Sequence, residues 1–207
     1  MQTSYKTIRA RADESFEEKK SIFIGHAAPV TTESEALAFL NEIRAAYPDA
    51  KHNVYAYILR ENNCMRYSDD REPQGTAGLP VLDVLRKSEI TDTVVVVTRY
   101  FGGVLLGTGG LVRAYTQAAK MAVEAGGIVI RARLAVFSMR CTYSDYQKIT
   151  PCLSADGIRL DDTAFGADVV VRVAMLYEQK EPFCKRLTEM TGGRILFEDE
   201  DERFDYM

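Results

Sequence analysis

The spacing of apolar residues along the chain predicts alternating strands and helices. After Thr32 and Glu35, which have the spacing of a capping box, apolar residues recur every three or four positions and predict a helix that Pro48 ends. The same spacing predicts a long helix from about Gly110 to Ala125. The other elements predicted in this part are strands at 4–11, 20–30, 53–59, 64–68, 93–98 and 128–132, and a short helix that begins at Pro80.

The pattern changes near residue 134, and we predict two domains of mixed α+β class, 1–133 and 134–207. The second part has the β-α-β-β-α-β order of a ferredoxin-like unit. Pro151 is expected to kink or shorten its first helix, and the acidic segment 198–205 is expected to be a solvated tail. The predicted bounds are 134–141, 144–153, 158–163, 168–176, 182–191 and 194–197.

The charge distribution limits the kinds of partner that the protein binds. The 207 residues carry a net charge of −4, which divides into +1 for residues 1–133 and −5 for residues 134–207. A sequence pI near 5.4 argues against a protein that coats nucleic acid without specificity. It still allows a local basic site in the first domain, whose net charge is not negative.

The sequence also predicts a cytoplasmic protein. It has no run of ~18 apolar residues that would span a membrane, and its polar start lacks the apolar stretch of a signal peptide. The four cysteines, at 64, 141, 152 and 184, have no C-x-x-C spacing. We therefore expect reduced thiols and no zinc site.

The segment VVVVTRYFGGVLLGTGGLVRAY at 94–115 has the composition of an anion-binding turn. A buried strand leads into a glycine-rich loop and a helix, whose first turn has free N–H groups beside a backbone that a ligand can approach closely. Arg99 and Arg113 would add charge-assisted hydrogen bonds. The segment is neither a P-loop nor a dinucleotide fingerprint, and tight packing of the helix on the sheet is the alternative interpretation. The predicted anion or nucleic-acid site consists of Arg99, Tyr100, Phe101, Gly102, Gly103, Gly107, Thr108, Gly109, Gly110 and Arg113.

A second segment, DDREPQGTAG at 69–78, forms a loop that supplies acidic side chains near the predicted site. Its acids could hold Mg²⁺ through oxygen ligands, pair with Arg99 and Arg113, or cap the helix that follows. Pairing and turn roles are favoured, and no metal site is predicted. The residues of this supporting loop are Asp69, Asp70, Glu72, Gly75 and Thr76.

The chain has no recognisable catalytic motif, so we predict no catalytic residue and no cofactor. It has no Gly-x-Ser-x-Gly elbow and no cysteine nucleophile motif, and His26 and His52 are more typical of structural histidines than of bases. Five aromatic residues could form a base-stacking platform, although such residues on strands more often belong to a core. They are Tyr55, Tyr57, Tyr67, Tyr100 and Phe101.

Four segments resemble the YigZ/IMPACT family: SIFIG at 21–25, HNVYAY at 52–57, SDDREPQGTAGLP at 68–80 and VTRYFGGVLLGTGGLVRAY at 97–115. The resemblance covers nearly the whole chain. It implies a first domain like the second domain of the small-subunit ribosomal protein S-five superfamily, as in domain IV of elongation factor G. It implies a ferredoxin-like second domain akin to domain V of that factor.

The residues and the resemblance together favour one function over two others. The favoured function is a non-enzymatic, translation-linked regulator that binds RNA or a ribosome-associated partner through an anion site at the glycine loop 102–110. The first alternative is a phosphate-ligand-binding small-molecule enzyme or sensor that uses the same loop with Mg²⁺. The second is a protein–protein adaptor, and the oligomeric state is left open in all three.

Overall fold

The computed structural model describes residues 4–154 and 157–206 of the chain. These residues form two compact units, one spanning Tyr5–Val129 and the other built mainly from Ile130 onward. Both units combine helices with antiparallel strands, which confirms the predicted α+β class. None of the helices that the structure describes is both long and apolar enough to cross a membrane.

The first unit is built around an antiparallel sheet. The strands of the unit are β1 (Ser4–Ile8), which lies outside this sheet, β2 (Ala12–Glu18), β3 (Ser21–Pro29), β4 (His52–Leu59), β5 (Cys64–Ser68) and β6 (Thr93–Tyr100). Five of them pair in the order β2-β3-β6-β4-β5. The unbroken β-branched run at 93–98 predicts a strand covered on both faces, and β6 lies at the centre of the sheet with its four valines fully buried.

Helices cover both faces of this sheet. Helix α1 (Glu33–Ala46) packs on one face, and helices α2 (Gly78–Lys87) and α3 (Thr108–Ala125) pack on the other. Helix α3 lies very close to β3, since a Cβ on Gly25 would stand 2.3 Å from the carbonyl oxygen of Ala118. Alternate side chains of β6 face the two helical layers, so the odd-numbered positions of this strand point toward α2 and α3.

The second unit has the predicted β-α-β-β-α-β order. Its elements are β7 (Ile128–Cys141), α4 (Tyr143–Leu153), β8 (Ile158–Phe165), β9 (Val169–Leu176), α5 (Tyr177–Thr191) and β10 (Leu196–Tyr206). The antiparallel strand order is β8-β9-β7-β10. The two helices pack on this sheet over a core that includes Phe137, Ile149 and Leu187.

The acidic segment is solvent-exposed as predicted, but the prediction that it forms a tail is wrong. Segment 198–205 belongs to β10, which pairs with β7 along its length. Basic side chains on neighbouring strands compensate its charge: Arg133 pairs with Glu202, and Arg172 Nε lies 2.7 Å from Glu200. The charges that suggest a free tail are therefore balanced within the sheet.

Strand β2 was missed, and several predicted bounds were misplaced. Strand β2 is a polar edge strand whose apolar contact with the core is the stacking of Phe16 on Phe23, so it lacks a hydrophobic pattern. One continuous strand, β7, replaces the two strands predicted at 128–132 and 134–141. Helix α4 continues through Pro151, and α5 begins five residues before Pro182.

Candidate functional site

The glycine segment places the start of helix α3 at the surface of the first unit. Gly107 precedes the helix with φ of 72°, a left-handed conformation that favours glycine, and a Cβ there would have no heavy atom within 4 Å. No side chain among the described residues caps this helix. Among the described residues the N–H groups of Thr108, Gly109 and Gly110 have no hydrogen-bond acceptor, and they lie at the positive end of an 18-residue helix.

The acidic segment folds back on itself and orders the start of α2. Asp69 accepts three backbone N–H groups, from Gly75 at 2.9 Å, Ala77 at 3.1 Å and Gly78 at 2.8 Å. Asp70 accepts the N–H of Asn53 at 2.6 Å. The bonds to Ala77 and Gly78 match the capping role that the sequence offered for the acids, whereas Asp70 ties the loop to β4.

Glu72 is the centre of a buried polar network. Its Oε1 accepts hydrogen bonds from Arg99 Nη1 at 2.5 Å and from the Tyr115 hydroxyl at 2.8 Å. His52 Nε2 lies 3.8 Å from the same oxygen. Burial, with the carboxylate of Glu72 next to it, raises the pKa of Tyr115, so this hydroxyl remains a donor. The network neutralises Arg99, which is consequently a paired group and not a free cation.

A pocket of about 420 Å³ connects these groups with the start of α3. Its apolar wall includes Phe101, 45% exposed, and Leu105, 83% exposed. The Phe101 ring lies 5.6 Å from the Arg99 guanidinium carbon, which joins the wall to the polar network. The lining residues are Lys51, His52, Glu72, Pro73, Arg99, Phe101, Leu105, Leu106, Gly107, Thr108 and Leu111.

The structure brings together part of the predicted site. From the glycine segment, Arg99, Phe101, Gly107 and Thr108 line the pocket, and Glu72 comes from the acidic segment. The remaining predicted residues do not line it: Tyr100 lies on β6 at an even-numbered position, which points to the α1 face, and the others lie in the two loops and the first turns of α3. Among them, Arg113 is exposed, and its Nη1 is 3.9 Å from the position of a Cβ on Gly109. The others are Asp69, Asp70, Gly75, Thr76, Gly102, Gly103 and Gly110.

Sequence reasoning missed Lys51 and Tyr115 and gave His52 a structural role. The missing information is strand register: His52 pairs with Arg99 across β4 and β6, which places its ring at the pocket. His52 Nδ1 lies 2.8 Å from the carbonyl oxygen of Asp70 and must donate to it. Tyr115 belongs to the predicted buried stripe of α3, and apolar periodicity does not show that its hydroxyl meets a carboxylate.

Other candidate residues lie away from the pocket. His26 is buried on the α1 face, with Nδ1 2.5 Å from Asp13 Oδ1, and burial lowers its pKa. Tyr55 and Tyr57 stack on each other and pack with the α1 core, so of the five aromatics only Phe101 lines the pocket. Across residues 4–154 and 157–206, no three His, Cys, Asp or Glu side chains are placed to hold a metal ion.

Both units of the chain match known protein domains. Residues 19–123 match the Impact N-terminal domain, and residues 139–194 match a domain of unknown function, DUF1949. The chain is 35% identical to the IMPACT family member YvyE of Bacillus subtilis, covering 92% of this chain and 88% of that protein. It is 33% identical to the IMPACT family member YigZ of Escherichia coli, covering 86% and 88%. A crystal structure described as a hypothetical protein aligns with a TM-score of 0.63 at 30% identity, covering 98% of this chain and 100% of that one.

Proposed function

The chain belongs to the IMPACT family, and from this premise we propose that it is a non-enzymatic, translation-linked protein that binds single-stranded RNA at the pocket beside α3. The likeness of its two domains to domains IV and V of elongation factor G is part of the same proposal. The proposed role implies that the protein is located in the cytoplasm, together with the RNA that it binds.

The observation that carries the proposal is an uncapped helix start next to an exposed aromatic ring. Free N–H groups at Thr108–Gly110 suit a phosphate, which gains both hydrogen bonds and the favourable field of the helix. Phe101 and Leu105 offer a face on which a base stacks or packs. A nucleotide contains both a phosphate and a base, and the pocket offers N–H donors for the phosphate and an apolar face for the base.

The local charge supports the same assignment. Arg99 is neutralised by Glu72, whereas Lys51 at the pocket and Arg113 beside the first turn of α3 are exposed cations. Such cations and one helix start suit a few phosphates. That number is consistent with selective binding of a short single strand by an acidic protein and inconsistent with coating of long nucleic acid.

The alternative of a small-molecule enzyme or sensor that uses Mg²⁺ has less support. Asp69, Asp70 and Glu72 each already accept hydrogen bonds from the protein, and the described residues place no three His, Cys, Asp or Glu side chains to hold a metal ion. Thermal unfolding with nucleotides, with and without Mg²⁺, tests this alternative directly. An Mg²⁺-dependent rise in melting temperature would favour it over RNA binding.

The proposal is tested by fluorescence anisotropy with a labelled single-stranded RNA of about 12 nucleotides at low and moderate salt. We expect affinity to fall as salt rises, and Arg113→Ala to weaken binding and reduce the salt slope. Lys120→Ala is the matched control, because it removes one exposed positive charge from the same helix two turns further on. No binding at low salt, or equal losses in the two variants, would contradict the proposal.

A further inference from the structure

The polar network in the pocket has more hydrogen-bonding capacity than the protein uses. Glu72 is 4% exposed at its side chain, and its two donors, Arg99 and Tyr115, both bind Oε1. Its Oε2 accepts no hydrogen bond from the residues that the structure describes. Arg99 Nε is buried without a partner in this part of the chain. Buried polar atoms are nearly always paired, so this nitrogen, beside a carboxylate that still has acceptor capacity, points to a polar group that enters the pocket.

His52 presents a second acceptor at the same end of the pocket. Because Nδ1 donates to the Asp70 carbonyl, Nε2 of the neutral ring carries a lone pair. This nitrogen lies 3.8 Å from Glu72 Oε1, and both residues line the pocket. The inner end therefore offers two neighbouring acceptors, whereas the start of α3 offers donors.

The two donors already bound to Glu72 Oε1 favour single hydroxyl groups over a guanine edge as the ligand of this carboxylate. A guanine edge is bound by a carboxylate through both oxygens at once, and Oε1 already holds two donors. Single hydroxyl groups need only one acceptor each. Two hydroxyls on adjacent carbon atoms match one oxygen of Glu72 and one nitrogen of His52.

We propose that the pocket recognises the 2′,3′-diol of a ribose, with one hydroxyl donating to Glu72 Oε2 and the other donating to His52 Nε2. Free ribonucleotides carry this diol, and in an RNA strand only the 3′-terminal nucleotide does. The site therefore selects the 3′ end of RNA, with the preceding phosphate at the start of α3 and the terminal base against Phe101. This inference rests on the proposed RNA binding.

The test uses the full chain and four labelled RNAs that differ only in the 3′-terminal sugar: the natural diol, 2′-deoxy, 3′-deoxy and 3′-phosphate. Loss of one hydrogen bond to a buried charged acceptor is expected to weaken binding about 10-fold in the 2′-deoxy or 3′-deoxy RNA. The 3′-phosphate is expected to bind least well, because it brings a second anion toward Glu72. Adenosine monophosphate as competitor, compared with its 2′-deoxy form, shows whether the diol of a free nucleotide is recognised equally.

Two single-residue variants test the two proposed acceptors separately. His52→Phe is expected to make the protein indifferent to one of the two hydroxyls, and Glu72→Gln to the other, while Lys120→Ala keeps the full preference. Equal binding of all four RNAs by the unaltered protein overturns the diol proposal and leaves RNA binding intact. Failure of every RNA to bind at low salt overturns both proposals.

Discussion

Helices α1 and α3 belong to the same unit, but side chains cap the N-terminus of α1 and none caps that of α3 among the described residues. Helix α1 begins with a complete capping box: Thr32 Oγ1 accepts the Glu35 N–H at 3.2 Å, and Glu35 Oε2 accepts the N–H groups of Thr31 and Thr32. Helix α3 begins with Gly107 and has no side-chain cap. A closed helix start fixes the path of the chain, whereas an open one beside a pocket leaves its donors to a ligand.

The largest expected effect concerns the buried ion pair beside α3. Arg99→Ala leaves the Glu72 carboxylate buried without its cation, and we expect a loss of about 3–5 kcal/mol in the free energy of unfolding. Urea unfolding measures this loss. Arg99→Met combined with Glu72→Gln removes both charges and should recover much of the stability. A loss below about 1 kcal/mol in the single variant would show that the pair is not buried as described.

An acidic residue in the first turn of α3 should separate stability from binding. In Gly109→Asp the new side chain has room, meets Arg113 and competes with a phosphate for the free N–H groups. We expect unchanged or slightly higher stability, by up to about 1 kcal/mol, and RNA affinity about 10-fold lower. Gly109→Asn is the neutral control of the same shape. If both variants bind RNA equally, charge at this helix start does not control binding.

Removing the cap of α1 should lower the stability of the protein without changing its RNA affinity. Thr32→Ala deletes the acceptor of the Glu35 N–H, and we expect a loss of about 1 kcal/mol in the free energy of unfolding. RNA affinity should stay unchanged, because α1 packs on the other face of the sheet from the pocket. Parallel anisotropy and urea titrations check both parts, and a fall in RNA affinity would remove the contrast between the two helix starts.

The smallest expected effect is the response to acid. The backbone N–H of Thr31 holds the pKa of Glu35 below its usual range, and hydrogen bonds from Arg194 do the same for the pKa of Asp145 at the start of α4. Lowered acid pKa values mean that this stabilisation is present above the ordinary carboxyl range near pH 4 and is lost as pH falls further. Hydrogen exchange should therefore show α1 and α4 loosening in acid before the start of α3 changes. Simultaneous loosening of all three would contradict this assignment.

How much the sequence predicts depends on whether the signal is local. The capping box of α1 and the valine run of β6 act between near neighbours, and both predictions are confirmed. Polar edge strand β2 and acidic strand β10 are held by pairing with distant partners, so their own residues carry no strand pattern.

The same limit applies to the candidate site. The glycine and acidic segments are recognisable from composition, and the structure brings members of both to one pocket. The sequence offers pairing of an acidic side chain with Arg99, and the structure contains such a pair; that the partner is Glu72 and that the pair is buried follow from geometry, which composition does not contain. His52 enters the pocket through its register with Arg99 across two strands separated by about forty residues in the chain.

The central claim is that the free N–H groups at the start of α3 bind a phosphate of RNA. Thr108→Pro removes one of these N–H groups at the first helical position, where proline is well tolerated, and Thr108→Ala keeps the N–H while deleting the hydroxyl. Measured side by side by fluorescence anisotropy, the proline variant should bind RNA about 10-fold more weakly than the alanine variant, at equal thermal stability. Equal affinity of the two variants would contradict the account.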